Sequence, residues 1–147
     1  MPYIYDYPMP AVTVDIVVFK VSGNSHEVLL IQRLHDPYID QWALPGGFVE
    51  IDEDLEDAAK RELYEETGIS CEKLIQLFTV GTPGRDPRYR SISVIYFAWF
   101  NTPDVKLKFG DDAKAIKWIH VDSLPRLAFD HNEIIKKAHE IIMKKLV

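Results

Sequence analysis

A chain of 147 residues with a formal charge of −6 is long enough to bury a core of its own. With 47% hydrophobic and 27% charged residues it is excluded from the disordered and fibrous classes. No apolar run approaches the ~20 residues of a membrane helix, and the lone Cys71 excludes an intrachain disulfide.

The charge is unevenly placed. Residues 47 to 69 hold nine acidic and two basic residues, a local charge of −7 that leaves +1 for the remainder. Such a concentration fits a cation site and argues against the broad basic face that nucleic acids require. The N-terminus lacks the basic and apolar parts of a signal peptide. The expectation is a single domain over 1–147, in a reducing cytoplasm, with neither nucleic-acid nor membrane partner.

Residues 1 to 10, MPYIYDYPMP, set Tyr3, Tyr5 and Tyr7 on one side of an extended segment. They either cover the domain's own surface or make a homodimer contact. AVTVDIVVFKV, residues 11 to 21, is rich in β-branched residues and predicts a long strand. Ser22 to Ser25 form a turn, and EVLLIQR, residues 27 to 33, reads as the partner strand. Its nearly continuous apolar run suits a strand covered on both faces. Arg33 ends it, within reach of a phosphate or of a surface ion-pair partner. A loop over 34 to 43 holds His35, Tyr38 and Trp42, with Trp42 read as a core plug. Gly46 and Gly47 then let backbone come close to a metal or phosphate.

Asp54 offers a helix cap and Gly68 a helix stop. On a wheel of about 100° per residue, Leu55, Ala58, Ala59 and Leu63 form one apolar stripe. Glu62, Glu65 and Glu66 fall on nearly the same side, while Asp57, Lys60, Arg61, Tyr64 and Thr67 face away. Three neighbouring anions either stand in water as surface charge or share a divalent cation, for which carboxylate oxygens are the preferred ligands.

Gly47, Glu53, Arg61, Glu62, Leu63, Glu65, Glu66, Gly68 and Ile69 fill every fixed position of G-x5-E-x7-R-E-U-x-E-E-x-G-U, with U aliphatic. This stretch resembles the Nudix box, a loop–helix–loop that binds divalent metal and pyrophosphate substrates. The resemblance implies an α/β/α sandwich with a mixed central sheet. It implies Glu62, Glu65 and Glu66 as ligands of Mg²⁺ or Mn²⁺, with the Gly46 carbonyl completing the set. Glu53 and Arg61 would brace the helix.

KLIQLFTV, 73 to 80, predicts a strand, followed by the loop GTPGRDPRYR, 81 to 90, too rich in glycine and proline for a helix or central strand. Its arginines either grip phosphate oxygens or pair with the acidic segment as a solvated loop. Pro83 and Gly84 to Arg88 resemble the loop of the ADP-ribose pyrophosphatase branch, which implies that Arg85 and Arg88 hold phosphates or the terminal ribose. SISVIYFAWF, 91 to 100, is a strand, and 101 to 114 a polar loop. That branch places its general base on a late loop, pointing to Asp111 or Asp112, although adjacent loop acids are otherwise ordinary surface residues. AIKWIHV, 115 to 121, is a strand, and Pro125 closes a turn. From Asp130 as cap, Ile134, Ile135, Ala138, Ile141 and Ile142 recur at helical spacing, predicting a core-packing helix without chemistry. Some members of the family carry a winged-helix DNA-binding domain beyond such a sequence, and none is expected here.

The resemblance thus implies hydrolysis of ADP-ribose to AMP and ribose 5-phosphate. Its rivals are cleavage of nucleoside triphosphates or sugar nucleotides, and a non-catalytic ADP-ribose sensor.

Overall fold

Strand β1 (Ala11–Ser22) is buried on both faces, as its β-branched sequence predicts. The computed structural model describes residues 2–101, 105–108 and 110–146. Alternate residues of β1 serve two separate cores. Val14, Ile16 and Val18 pack with Ala58, Ala59 and Leu63 of helix α1 (Leu55–Thr67). Val17 and Phe19 pack with Ile134, Ile135, Ala138 and Ile142 of helix α2 (His131–Leu146). One sheet between two helical layers is the expected α/β/α sandwich.

The sheet is mixed. β1 runs parallel to β6 (Ser91–Phe100) from Ala11 to Lys20, and β6 pairs antiparallel with β5 (Ile75–Val80). On its other edge β1 has two successive partners. β2 (Ser25–Arg33) pairs with it at residues 19 to 22, across a two-residue turn in which Gly23 takes φ 60°. β4 (Gly46–Phe48) replaces β2 at Thr13 to Asp15. β2 meanwhile pairs with β7 (Ala113–His120) and with the short β3 (Trp42–Ala43). The sheet therefore opens where β2 leaves β1, and Leu44 and Pro45 bridge that opening.

Several boundaries differ from expectation. The loop predicted over 34 to 43 ends in β3, and the glycine pair forms β4, because both segments find exposed strand edges to pair with. The strand expected at 73–80 begins at Ile75. β7 begins at Ala113, inside the expected loop, since Arg33 offers it a pairing partner. Residues 102–104 and 109 of that loop, and Met1 and Val147 of the expected domain, lie outside the described residues. Tyr3, Tyr5 and Tyr7 are exposed rather than laid on the domain's surface, with Tyr3 and Tyr5 stacked at 6.3 Å. Trp42 is a plug, partly buried against the α2-side core.

The caps of α1 are half as expected. Gly68 takes φ 76° and donates its N–H to the Tyr64 carbonyl at 2.9 Å. Asp54 stands at the N-cap and accepts from Ala58 through its backbone carbonyl, but its side chain makes no capping bond. Thr67 is the clear error of the helical wheel: it is fully buried. It lies about 40° beyond Leu63 at 100° per residue, flanking the apolar stripe rather than opposite it. Its hydroxyl donates to the Leu63 carbonyl at 2.6 Å and accepts from the Ile69 N–H at 3.1 Å. Thr67→Val keeps the shape but leaves that N–H unpaired in the core. Urea unfolding should show a loss of about 1–3 kcal/mol, whereas a residue on the solvent side would give less than about 0.5 kcal/mol.

Candidate active site

The opening between β1 and β2 is the mouth of a cavity of about 440 Å³. Thr13 and Asp15 of β1, Ile31 and Arg33 of β2, Leu44, the segment Gly46 to Phe48, and Glu62 and Glu66 of α1 line it together. The glycines are there because nothing larger fits. A Cβ on Gly47 would run into the Glu62 carboxylate, and one on Gly46 into the Val14 carbonyl and the Asp15 carboxylate.

The three carboxylates predicted to act together part company. Glu62 and Glu66 face the cavity, but Glu65 is exposed and does not line it. At 100° per residue Glu65 falls about 60° to the outer side of Glu62, beyond the edge of the buried arc. Among the described residues no three His, Cys, Asp or Glu side chains are gathered closely enough to hold a metal ion by themselves. What the site offers is two half-buried carboxylates beside a glycine backbone. That all-oxygen set fits a hard divalent cation that keeps room for water and phosphate oxygens.

Arg61, expected to face away, instead curls along the helix. Its Nε and Nη2 donate to the Glu53 carboxylate at 2.7 and 2.9 Å, and Nη2 also reaches the Phe48 carbonyl at 3.1 Å. Nη1 donates to Glu62 Oε1 at 2.8 Å and to Glu65 Oε2 at 3.2 Å. The expected brace between Glu53 and Arg61 is thus present, and it extends to Glu62 and Glu65. The Arg61 hydrogen bonds hold the Glu53 carboxyl at about 2. Glu53 in return holds the Arg61 guanidinium above its ordinary range.

Glu62 and Glu66 are perturbed the other way. Burial raises Glu62, outweighing the hydrogen bond from Arg61. Burial pushes Glu66 up to about 8, with the nearby charges of Glu62, Asp15 and Asp112 adding and the Gly46 N–H opposing. That N–H donates to Glu66 Oε2 at 2.9 Å. Carboxylates this reluctant to ionise beside one another are the groups a divalent cation stabilises.

The three predicted arginines divide. Arg85 is buried and forked onto the Asp130 carboxylate, Nε to Oδ2 at 3.0 Å and Nη2 to Oδ1 at 2.8 Å, while Nη1 donates to Ser91 Oγ at 3.0 Å. It lines the cavity but commits three of its five N–H donors within the protein, and it takes the Asp130 side chain away from the cap expected of it. Arg88 is held by Asp86, donating from its backbone N–H at 2.9 Å, Nε at 3.1 Å and Nη2 at 2.9 Å. Burial alone would raise Asp86, but those bonds and the charges of Arg88 and Arg85 hold it low. The alternative reading, in which the loop's arginines pair with the acidic box, is replaced by these two partners. Arg33 has no carboxylate partner among the described residues, so neither is it the surface ion pair. Its Nε donates to the Pro37 carbonyl at 2.8 Å, and a bulge between Gln32 and Arg33 re-aims the side chain. Burial and the neighbouring Arg88 charge lower its affinity for its proton.

Asp112 lines the cavity, with an oxygen 3.8 Å from His35 Nε2, and Asp111 does not line it. Two residues that sequence reasoning passed over complete the floor. Asp15 is buried and accepts from Ser93 Oγ at 2.5 Å. His131 is buried, accepts the Leu44 N–H on Nδ1 at 3.0 Å, and sets Nε2 3.7 Å from Asp15 Oδ1. Its Nδ1 is therefore an acceptor, and burial lowers the ring's affinity for a proton against the pull of Asp15. A lone acid inside the apolar run of β1 was a readable signal for Asp15. Nothing in the sequence marked His131.

The NUDIX domain family matches residues 9–138. An ADP-ribose pyrophosphatase of Methanocaldococcus jannaschii is 42% identical over 130 residues, covering 88% of this chain and 73% of that protein. An ADPR-responsive transcriptional repressor of Acinetobacter baylyi is 38% identical over 90% of this chain, which spans 54% of that protein, about half its length. The NUDIX domain of Shewanella oneidensis NrtR, solved with ADP ribose, superimposes with a TM-score of 0.84 at 35% identity, covering 94% of each chain. With the box complete, its Glu62 and Glu66 in the cavity and the family match spanning most of the sequence, the chain belongs to the Nudix family.

Proposed function

We propose that this chain hydrolyses ADP-ribose to AMP and ribose 5-phosphate with Mg²⁺ or Mn²⁺. The observation that carries the reading is that Glu62 and Glu66 share one cavity with Arg33 and Arg88. Paired acids suit a metal, and paired guanidiniums suit the phosphates of a diphosphate bridge. The similarity to an ADP-ribose pyrophosphatase, and to a domain solved with ADP ribose, supports the choice of substrate.

Glu62, Glu66 and the Gly46 carbonyl would hold the cation, with Glu65 reaching in from the rim. When bound, the metal supplies charge neutralisation for the pyrophosphate and lowers the pKa of water. Arg61 orients Glu62 from behind, as partners of ligating carboxylates do. Asp112, the one of the two loop acids that lines the cavity, takes the proton of the attacking water. Arg33 and Arg88 hold phosphate oxygens. Arg85 supports the loop through Asp130.

A second reading, a sensor that binds ADP-ribose without cleaving it, is favoured by the similarity to the A. baylyi repressor. One experiment separates the two. Incubation with ADP-ribose and Mg²⁺ or Mn²⁺, beside nucleoside triphosphates and sugar nucleotides, should release AMP and ribose 5-phosphate in equal amounts. Faster turnover of triphosphates would transfer the assignment to them, and tight binding without product would favour the sensor.

Glu66→Gln should lower turnover roughly a hundredfold or more, about 3 kcal/mol of transition-state stabilisation. Near-normal rates would remove Glu66 from the metal's ligands. The same variant has an opposite effect on the metal-free fold. A carboxyl raised from 4.5 to about 8 costs nothing below its unfolded value, and its ionisation increasingly opposes folding as pH rises through that window. Glutamine keeps an oxygen for the Gly46 N–H. Metal-free Glu66→Gln should therefore melt above wild type at about pH 9 and converge with it near pH 5.

The arginines should separate in the same way. Arg88→Ala should lower kcat/KM for ADP-ribose by about ten- to a hundredfold, the scale of a charged hydrogen bond. A comparable loss should appear on a triphosphate substrate, because the contact is to phosphate oxygens. Arg85→Ala breaks a buried pair and should be read mainly in the melting temperature, as a loss of about 3–5 kcal/mol. A loss confined to ADP-ribose would move Arg88 from the phosphates to the second sugar.

A further inference from the structure

We propose that Phe129 is a positioning residue whose ring holds the guanidiniums of Arg33 and Arg88 together as one cradle for a phosphate group. The proposal rests on reading the cavity as a pyrophosphate site.

The first observation is a backbone that must be forced. Phe129 takes φ 53°, a region bulky residues rarely occupy. Such strain persists where the surroundings over-determine it, commonly at ligand clamps. Here they do so on both sides. The Ala128 N–H donates to the Trp42 carbonyl at 2.9 Å, the Asp130 carboxylate is forked by Arg85, and His131 Nδ1 accepts the Leu44 N–H at 3.0 Å. Each neighbour ties the start of α2 to the cavity wall, so the ring between them cannot relax away.

The second observation is what that ring touches. Its centroid lies 5.0 Å from the Arg33 Cζ and 5.7 Å from the Arg88 Cζ, both within cation–π range. The edge-on ring of Tyr38 backs it at 4.8 Å. Two guanidiniums beside one ring repel each other, and only Arg88 has a carboxylate among the described residues, that of Asp86. One positive charge is left over. The negative face of the ring offsets part of the repulsion in the free protein, and an arriving phosphate offsets the rest. Because a guanidinium is planar, stacking on a fixed ring also fixes the direction of its donors. Arg33, Arg88 and Phe129 line the same cavity as Glu62 and Glu66, so the phosphate they hold is continuous with the one the acids would serve through a metal.

The test titrates inorganic pyrophosphate into wild type and variants by calorimetry with Mg²⁺ present. Phe129→Leu keeps apolar bulk and the strained backbone but loses the π face, and should weaken binding about tenfold, which corresponds to about 1.4 kcal/mol. Phe129→Tyr should restore it to within about twofold, a rescue that apolar packing alone would not require. In turnover, Phe129→Leu should raise KM far more than it lowers kcat. Adding Arg88→Ala to Phe129→Leu should cost much less than in wild type, since the two act as a unit. If Phe129→Leu fails to fold, Phe129→Asn removes the ring with a residue that tolerates positive φ, and carries the same expectation. Unchanged binding in a folded variant, no rescue by tyrosine, additive losses, or a wild type that does not bind pyrophosphate would each overturn the proposal. The pyrophosphate arm is independent of which compound is cleaved, so a failure of the ADP-ribose reading would leave it standing.

Discussion

The structure depends on one electrostatic constraint: Glu62 and Glu66 are held partly out of water, next to each other and to the buried Asp15. Uncompensated, such a group of anions would oppose folding. The protein meets part of the demand with its own groups. Arg61 donates to Glu62, the Gly46 N–H to Glu66, and Ser93 to Asp15. The remainder shows in Glu62 and Glu66, which burial raises above the ordinary carboxylate range. Glycine at 46 and 47 is a consequence of the same constraint, since any side chain there would displace one of the acids.

The sheet is arranged to make room for this. Had β2 followed β1 along its whole length, a continuous ladder would have sealed the region where the cavity lies. Instead β4 takes over the lower part of the edge, and the exchange leaves a gap lined by backbone from three strands. Arg33 sits at a bulge beside that gap, where a regular strand would have turned it elsewhere. The positive side of the site thus comes from the same strand departure that creates the space for it.

Much of this was legible in the sequence, for identifiable reasons. Strands such as SISVIYFAWF and the Asp54-to-Gly68 helix announce themselves through local composition and capping chemistry. The carboxylates of the box were marked by their resemblance to a family pattern, since their spacing alone also suited a solvated acidic helix. What stayed hidden depends on distant partners. Asp130 looks like a cap but turns to Arg85, 45 positions earlier. Arg85 and Arg88 are chemically alike in the sequence, and only the fold shows one buried against Asp130 and the other beside aromatic rings. Glu65 and Thr67 were misplaced because an angular reading of a helix has no knowledge of where the buried arc ends. His131 and Phe129 carry no local mark at all.

The start of α2 has a meaning for biosynthesis. Ala128, Asp130 and His131 each bond to a residue made at least 40 positions earlier. During vectorial synthesis the acidic helix is made well before residues 128 to 131 exist. The growing chain then has its anions but not the elements that close the cavity around them, and they remain solvated and ionised. Asp15 gains its His131 neighbour only when the start of α2 has been made. Closure of the cavity thus waits for the start of α2, and a chain arrested before it emerges holds the whole box without the wall that Phe129 and His131 supply.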